Sequence, residues 1–262
     1  MNILETYNIY KHAWVYSYAV NTEMQLSKQD AQSLLQLGGW IVRNAYNYDC
    51  APTNFWYVIK DKFGGMEELS AKTRNQVKRG LANYTIRKIS SEELLLKGYR
   101  IYCAAAASYK IAFKYPSMPE FQERIHSTDS SNEFWGAFNQ NEEMVAFAIN
   151  KIKGTSCDYQ TIKAFPADMK NYVYYALIYE MNRHYLQERQ MKFVIDGARS
   201  ITEHSNMQPF LESKFNFRKA YCHLKIYYKW WFGIIVKCLY PFRGIIKNNQ
   251  IHAVLAMHGM QS

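Results

Sequence analysis

Four ionisable side chains follow a short apolar run at 193–195. They are Asp196, Arg199, Glu203 and His204, and they fall within nine residues. An imidazole has an unperturbed pKa near neutrality, so His204 suits the role of a general base that Asp196 or Glu203 would orient. Two structural alternatives stay open: His204 caps the following helix, and Arg199 pairs with Asp196. The segment is therefore a candidate site for acid–base chemistry.

The sequence predicts a strand before this loop and a helix after it, and these two elements indicate where the loop lies in the fold. The run at 193–195 is apolar without a break, which is typical of a central strand covered on both faces. Ser205 or Asn206 can cap a helix that tolerates Pro209 only in its first turn, and Asn216 suits the left-handed residue that ends such a helix. Open α/β sheets bind ligands at the carboxyl ends of their strands, so the loop lies where chemistry is expected.

Three strands joined by tight turns are predicted upstream, at 134–138, 144–152 and 157–165. Pro166 and Asp168 open a helix that runs to about 189 and is apolar on nearly every side at first, which indicates burial. Strands and helices then alternate to the end of the strand near Tyr228. This order predicts a mixed α/β (α+β) sheet flanked by helices.

The first half of the chain is expected to add a smaller unit. A capped helix after Ser27 stops at Gly38 and Gly39, and strands follow at 40–42 and 55–59. A basic helix is predicted over 70–81, then a strand through 86–89. A second capping box at Ser90 begins a long helix that Pro116 and Pro119 would end.

The charge distribution favours an anionic partner. The chain of 262 residues has a net charge of +10 and 48% hydrophobic residues, which is enough apolar content for a sizeable core. No acidic residue follows Glu212, and a second acid-free stretch lies between Glu68 and Glu92. Such asymmetry indicates a phosphate-bearing cofactor, a nucleic acid or a membrane surface.

Cysteine usage and hydropathy set the expected compartment. The five cysteines are widely spaced and include no C-x-x-C pair, so neither a disulfide framework nor a zinc site is indicated, and no metal is expected. The first residues lack a signal-peptide core, and no stretch reaches the ~20 apolar residues of a membrane-spanning helix. We therefore expect a cytoplasmic location.

The order of elements resembles the GNAT acyltransferase fold. The segment LSAKTRNQVKRGL, followed by a strand and a capped helix, resembles the region of Fem-type peptidyltransferases where a basic helix joins two GNAT-like halves. The likeness covers roughly residues 55–228. It implies a reduced N-terminal half over 1–130, an acyltransferase domain over 131–229 and a basic aromatic tail over 230–262.

The resemblance implies an N-acyltransferase that moves an acyl or aminoacyl group onto an amine of a sugar or cell-envelope precursor. His204, Asp196 and Glu203 would be catalytic. The donor would lie against the strand before the central helix and the start of that helix, at Gln160, Thr161, Ile162, Lys163, Ala164, Lys170 and Asn171. A phosphate-rich donor would contact Arg74, Lys78, Arg79 and Arg199. The first three could equally be the solvated face of an amphipathic helix.

Two departures from the acetyltransferase pattern bear on the donor. The stretch DMKNYVYYA has no glycine where acetyl-CoA-dependent members cradle pyrophosphate with backbone N–H groups. Glu212 also occupies the place of the tyrosine that protonates the leaving thiolate. Acyl-CoA stays a candidate donor and aminoacyl-tRNA an alternative. The departures also leave open a non-catalytic binding protein that has lost its donor site.

The tail combines aromatic and cationic residues without any acid. Between 230 and 247 it carries Trp230, Trp231 and Phe232 among lysines and arginines. This composition predicts an interfacial anchor on anionic lipid, peripheral on the inner face of the membrane. The alternative is a terminal helix that packs on the domain.

Overall fold

The computed structural model describes residues 3–10, 12–22, 24–109, 116–201, 206–246 and 248–261. The chain folds into two units, each built from segments distant in sequence. Unit 1 comprises residues 1–57, 198–203 and 219–262, and unit 2 comprises residues 58–197 and 204–218. The division into domains near residues 130 and 229 stays a prediction about parts that fold on their own.

In chain order the first elements are α1 (Ile3–Thr6), β1 (Tyr7–Tyr10), β2 (Ala13–Tyr16), α2 (Lys28–Leu37), β3 (Ile41–Tyr46), β4 (Phe55–Lys60), α3 (Ala71–Asn83), β5 (Thr85–Ile89), α4 (Ser91–Ala107) and α5 (Met118–His126). Then follow β6 (Asn132–Phe138), β7 (Met144–Lys153), β8 (Ser156–Ala164), α6 (Pro166–Met169), α7 (Val173–Asn182), β9 (Phe193–Ala198), α8 (Met207–Phe215), β10 (Arg218–Tyr228), α9 (Trp230–Leu239) and α10 (Asn249–His258).

Unit 1 has a mixed sheet. Strands β1 and β2 form an antiparallel pair, β2 runs parallel to β3, and β3 pairs with β10 antiparallel. Alternate residues of β10, such as Cys222, Leu224 and Ile226, are buried, and they pack with Ile41 and Phe55. This alternation is what a strand with one covered face requires.

Within unit 2 the strands are ordered β5-β6-β7-β8-β9. The first four strands are antiparallel neighbours, and β8 and β9 are parallel. On one face, α4 and α5 pack Leu94, Ile101 and Phe121 against Phe138 and Phe147. Helix α7 is buried along most of its length, as its apolar sequence predicts. The predicted mixed sheet with flanking helices is confirmed.

Local signals in the sequence place most of the helix boundaries. The side chains of Ser27, Ser70 and Ser90 accept hydrogen bonds from backbone N–H groups in the first turns of α2, α3 and α4. Asn216 ends α8 in the left-handed conformation at φ 56°, and the N–H of Phe217 donates to the Leu211 carbonyl. The caps at Ser27, Ser90 and Asn216 could be predicted because each depends on residues adjacent in sequence.

Two helix predictions are corrected. The long helix after Ser90 ends at Ala107, and Pro119 lies in the first turn of α5, a second helix, instead of terminating the first. Proline is compatible with a first turn because its missing N–H would have no helical partner there. The helix predicted from Pro166 is broken at Tyr172, whose φ is +69°. Helix α7 then continues as a π-helix, Arg183–Glu188.

The C-terminal tail is helical. Val236 of α9 is buried, and Met257 and Met260, in and just after α10, belong to the core of unit 1. Gln261 accepts a hydrogen bond from the Ile226 N–H through its side-chain oxygen at 2.8 Å. Part of the tail therefore packs as a terminal segment of the domain. No helix within the described residues has the length and apolarity to span a bilayer.

Candidate active site

Asp196 lies near the carboxyl end of β9 in unit 2, one residue before Gly197, whose φ is +95°. The residue as a whole is half-buried, and burial of its carboxyl by the surrounding protein raises the pKa from 3.8 to about 7. A hydrogen bond with the side chain of Gln208 on α8 opposes part of this rise. A carboxyl with a pKa near neutrality can both accept and release a proton at physiological pH.

Strands β8 and β9 separate beside Asp196. Their ladder consists of three residue pairs, from Ser156↔Phe193 to Asp158↔Ile195. β8 continues to Ala164, so its segment 159–164 extends beyond the paired region on the side of β9. On the side of β9, the backbone groups of 159–164 therefore lie outside the β8–β9 ladder, next to the Asp196 strand.

The same part of β8 contains a bulge. Thr161 pairs with Ile149 and Tyr159 with Asn150, which leaves Gln160 as the extra residue. A bulge re-aims the backbone groups around it and interrupts the regular ladder. The predicted donor-binding segment 160–164 thus begins at this bulge, and its residues 161–164 pair in regular register with β7.

The side chains of this strand segment contact different neighbours. Ile162 and Ala164 are buried. Thr161 accepts a hydrogen bond from Arg124 at 3.2 Å, and Lys163 donates to the hydroxyl of Tyr109 and lies 5.4 Å from the ring centroid of Tyr102. Thr161 and Lys163 therefore belong to a polar cluster with α4 and α5.

Tyr174 adds a hydroxyl at the end of β8. Its side chain hydrogen-bonds with the backbone of Ala164, and burial raises its pKa above the usual value of 10. The phenol therefore stays protonated at physiological pH. No sequence signal distinguished Tyr174 from the other tyrosines of its helix.

The basic helix α3 covers the start of α7. A Cβ on Gly80 would lie 2.6 Å from the carbonyl oxygen of Tyr172, so the two backbones are in close contact. The side chain of Asn83 donates to the Asn171 carbonyl at 3.4 Å, and the Tyr84 hydroxyl donates to the Asp168 carboxylate at 2.8 Å. Lys170 and Asn171 are exposed, but the helix N-terminus beside them packs against protein.

The predicted anion-binding residues of α3 differ in their surroundings. Arg74 is half-buried, donates to the Leu69 carbonyl at 3.3 Å and lies 3.8 Å from the Glu67 carboxylate. Lys78 and Arg79 are exposed, with the Arg79 guanidinium 5.0 Å from the ring centroid of Tyr172. Lys78 and Arg79 are thus available to a phosphate, whereas Arg74 is held in local contacts.

Arg199 is the last of the predicted anion-binding residues. Arg199 belongs to unit 1, where it donates to the Asn54 carbonyl at 2.7 Å and stacks 4.3 Å from the ring centroid of Trp56. Glu203 and His204 lie outside the described residues. Among the residues that the structure does describe, no cluster of three or more His, Cys, Asp or Glu side chains could hold a metal ion.

A buried polar network in unit 2 escaped the sequence analysis. Tyr159 donates to the Asn182 side chain at 2.9 Å, and the Tyr185 hydroxyl accepts from Asn150 at 3.2 Å and donates to Glu133 at 2.8 Å. Tyr159 is also close enough to Asp196 for the carboxylate to raise the pKa of the phenol, although burial is the larger cause. The available signal was a lone asparagine in each of two apolar runs.

Comparison with known proteins supports the layout of these elements. No protein-family model matches the chain, and no curated protein matches it either. Among solved structures, FemX superposes with a TM-score of 0.55 at 11% identity over 77% of this chain and 68% of FemX.

Two further structures are similar. L-PGS from Bacillus licheniformis gives a TM-score of 0.49 at 11% identity, over 81% of this chain and 75% of its own. The C-terminal domain of a candidate lysylphosphatidylglycerol synthetase from Agrobacterium fabrum gives 0.48 at 9%, over 88% and 82%. The chain has a GNAT-like fold in the Fem-type layout.

Proposed function

We propose that this protein is an N-acyltransferase of the GNAT kind that moves an acyl or aminoacyl group onto an amine of a sugar or cell-envelope precursor. The observation that carries the proposal is the position of Asp196 beside the diverging edge of β8. His204 and Glu203 stay candidates on the loop that follows. A carboxyl or imidazole beside such an edge can take the proton of an attacking amine.

In the proposed reaction, the acceptor nitrogen attacks the donor carbonyl and loses one proton to Asp196. A C–N bond forms, and backbone N–H groups of the segment 160–164 stabilise the tetrahedral oxyanion. The carbonyl–sulfur bond of a thioester, or the carbonyl–oxygen bond of an aminoacyl ester, then breaks. The leaving group departs with one proton, and Tyr174 is a candidate donor because its hydroxyl stays protonated.

The packing of α3 against the start of α7 affects which donor can bind there. A coenzyme A pyrophosphate is normally held by free backbone N–H groups at the start of the central helix. Here that backbone lies against Gly80, and the N–H groups of Asn171 and Tyr172 already donate to the carbonyls of Asp168 and Met169. Aminoacyl-tRNA is therefore the favoured donor in our proposal, with Lys78 and Arg79 as phosphate contacts. Acyl-CoA remains the donor to test beside it.

The test is a transfer assay. The full chain is incubated with an amine-containing envelope-precursor pool and either acyl-CoAs or charged tRNA, and acyl gain is read by mass spectrometry. We expect transfer from charged tRNA and at least a hundredfold loss in Asp196→Asn, since removing a general base typically lowers rates by ~10²–10⁴. No acyl gain on any amine with either donor would refute the proposal.

Asp158→Asn is the matched control. This carboxyl lies on the neighbouring strand and burial raises its pKa too, but it forms a 2.8 Å ion pair with Lys153. We expect Asp158→Asn to keep its activity wherever it folds. An equal loss in both variants would assign the effect of Asp196→Asn to general damage.

A second candidate function is a non-catalytic binding protein. The contact between Gly80 of α3 and the start of α7 favours it. A protein that no longer binds a donor at this helix N-terminus has no need to keep that backbone free. Calorimetry with CoA thioesters and with tRNA separates the two functions. Micromolar binding of either donor supports the enzyme, whereas binding of neither supports the second candidate.

A further inference from the structure

Exposed apolar side chains are concentrated in unit 1. Sixteen large hydrophobic residues are exposed among the described residues, and thirteen of them belong to this unit. Scattered single exposed residues are normal on a protein surface, whereas a concentration marks an interaction site. The exposure is therefore a property of unit 1 that requires its own explanation.

Helix α9 supplies the largest part of this surface. Its inner side buries Val236 and packs Phe232 against the core of unit 1. Its outer side exposes Trp230 at 78%, Ile234 at 56% and Ile235 at 45%. The helix is thus anchored by one side and presents bulky apolar groups on the other.

The surface continues onto the first strands and the end of α2. The Trp40 ring, 39% exposed, lies 5.8 Å from the ring of Trp231, measured between centroids, and stacks on His12 at 4.4 Å. Leu37 is 63% exposed and Ile9 is 52% exposed. Ile9 Cδ1 would be 3.8 Å from a Cβ placed on Gly38, which follows Leu37 directly. Side chains from three separate stretches of sequence therefore form one apolar surface.

The charged side chains of the C-terminal segment are all cationic. No acidic residue follows Glu212, while Lys225, Lys229, Lys237 and Arg243 do. Lys225, Lys237 and Arg243 are exposed. Tryptophans with nearby cations suit the headgroup region of an anionic bilayer, where indole rings reside and cations meet lipid phosphates.

We propose that unit 1 docks on an anionic lipid bilayer through this surface, which we call the α9 surface and define by Ile9, Leu37, Trp40, Trp230, Ile234 and Ile235. The exposed cations Lys225, Lys237 and Arg243 favour lipid over a second copy of the chain, since two copies facing each other would bring like charges together. α9 would lie in the plane of the interface, as amphipathic interfacial helices do. The inference does not depend on transferase activity.

The experiment measures binding of the full chain to vesicles of phosphatidylcholine with and without 30% phosphatidylglycerol. The anionic vesicles are expected to bind the chain and the neutral ones to bind it weakly, with release at high salt. The variant Trp230→Ser/Ile234→Ser should lose tenfold or more of the partition coefficient. Because both residues are exposed, its melting temperature should match that of the parent chain.

Two further variants make the outcome decisive. Lys229→Ala/Lys237→Ala should weaken binding by roughly fivefold for each cation near the lipid. Leu96→Ala, at an 83% exposed leucine of unit 2, is the matched control and should bind like the parent chain. Absence of binding to anionic vesicles, or equal binding by Trp230→Ser/Ile234→Ser, would overturn the proposal. A dimer in sedimentation that this variant disrupts would do the same, because it would assign the surface to a second copy.

Discussion

Asp196, the proposed base, carries a thermodynamic penalty in the folded chain. Its pKa is about 7 in the folded chain and 3.8 as the ordinary value, so the folded state holds a proton that the unfolded state releases. Below pH 4 the group is protonated in both states and contributes nothing. Between pH 4 and 7 the penalty grows as the unfolded state ionises, and above pH 7 it is complete.

Asp196→Asn should therefore stabilise the chain at pH 8 while abolishing transfer. The difference between the two pKa values corresponds to at most about 4 kcal/mol, and the gain should disappear below pH 4. Urea denaturation at pH 4.0, 6.0 and 8.0 measures it. A variant that is destabilised equally at all three pH values would show that the carboxyl is held by structural contacts, and would contradict its assignment as a poised base.

At the scale of single residues, the sequence predicted the position of Asp196 but not its pKa. An acid after an apolar run indicates the neighbourhood of a strand end, although β9 continues to Ala198. The raised pKa depends on how much protein surrounds the carboxyl, and the hydrogen bond with Gln208, twelve positions later, opposes part of the rise. Tyr174 and the asparagines at 150 and 182 were missed for the same reason. Their roles arise from partners distant in sequence.

At the scale of elements, the contact between α3 and α7 can be tested at Gly80. A helix interior normally gains about 1 kcal/mol when alanine replaces glycine. Here the added Cβ would lie 2.6 Å from the Tyr172 carbonyl oxygen and 3.2 Å from the Ala176 Cβ. Gly80→Ala should therefore lower the free energy of unfolding by about 1–3 kcal/mol, as overpacking does.

Thermal denaturation of Gly80→Ala beside Asn75→Ala checks this prediction. Asn75 is exposed on the same helix, so its replacement should be neutral or slightly stabilising. A stabilised Gly80→Ala would mean that α3 can move away from α7. The helix N-terminus would then be accessible, and coenzyme A would become the favoured donor.

The structural features that could be predicted are those that depend on residues close together in the sequence. The caps at Ser27 and Ser90 and the left-handed Asn216 depend on neighbours in sequence. The break at Tyr172 was not predictable, because a tyrosine rarely adopts a positive φ. The bulge at Gln160 depends on register with β7, which residue type does not reveal.

At the scale of the whole molecule, the sequence does not reveal which segments belong to which of the two units. Residues near both ends build unit 1, and β10 pairs with β3 from the first fifty residues. Hydrophobic periodicity identifies a strand but not its neighbour in the sheet. A contiguous division of the sequence could not anticipate this arrangement.

The C-terminal segment 230–262 contributes side chains to the core of unit 1 as well as to its surface. Shortening the chain should therefore lower its stability. Met257 is 8% exposed and packs with Ile41, Phe55 and Leu224. Met257→Ala should lower the free energy of unfolding by about 2–4 kcal/mol, the usual range for a buried large-to-small change. Deleting residues 230–262 should unfold unit 1, because the deletion removes Phe232, Met257 and Met260 together.

Ile251→Ala is the control on the same helix, since Ile251 is 40% exposed and its loss should change stability by less than about 0.5 kcal/mol. Limited proteolysis and thermal denaturation of the three variants measure these effects. If the deletion leaves the melting temperature unchanged, the segment is a separable anchor and its contacts with Ile41 and Leu224 contribute little. If Met257→Ala behaves as predicted, vesicle binding must be tested with surface substitutions, because a truncated chain would confuse loss of docking with loss of the fold.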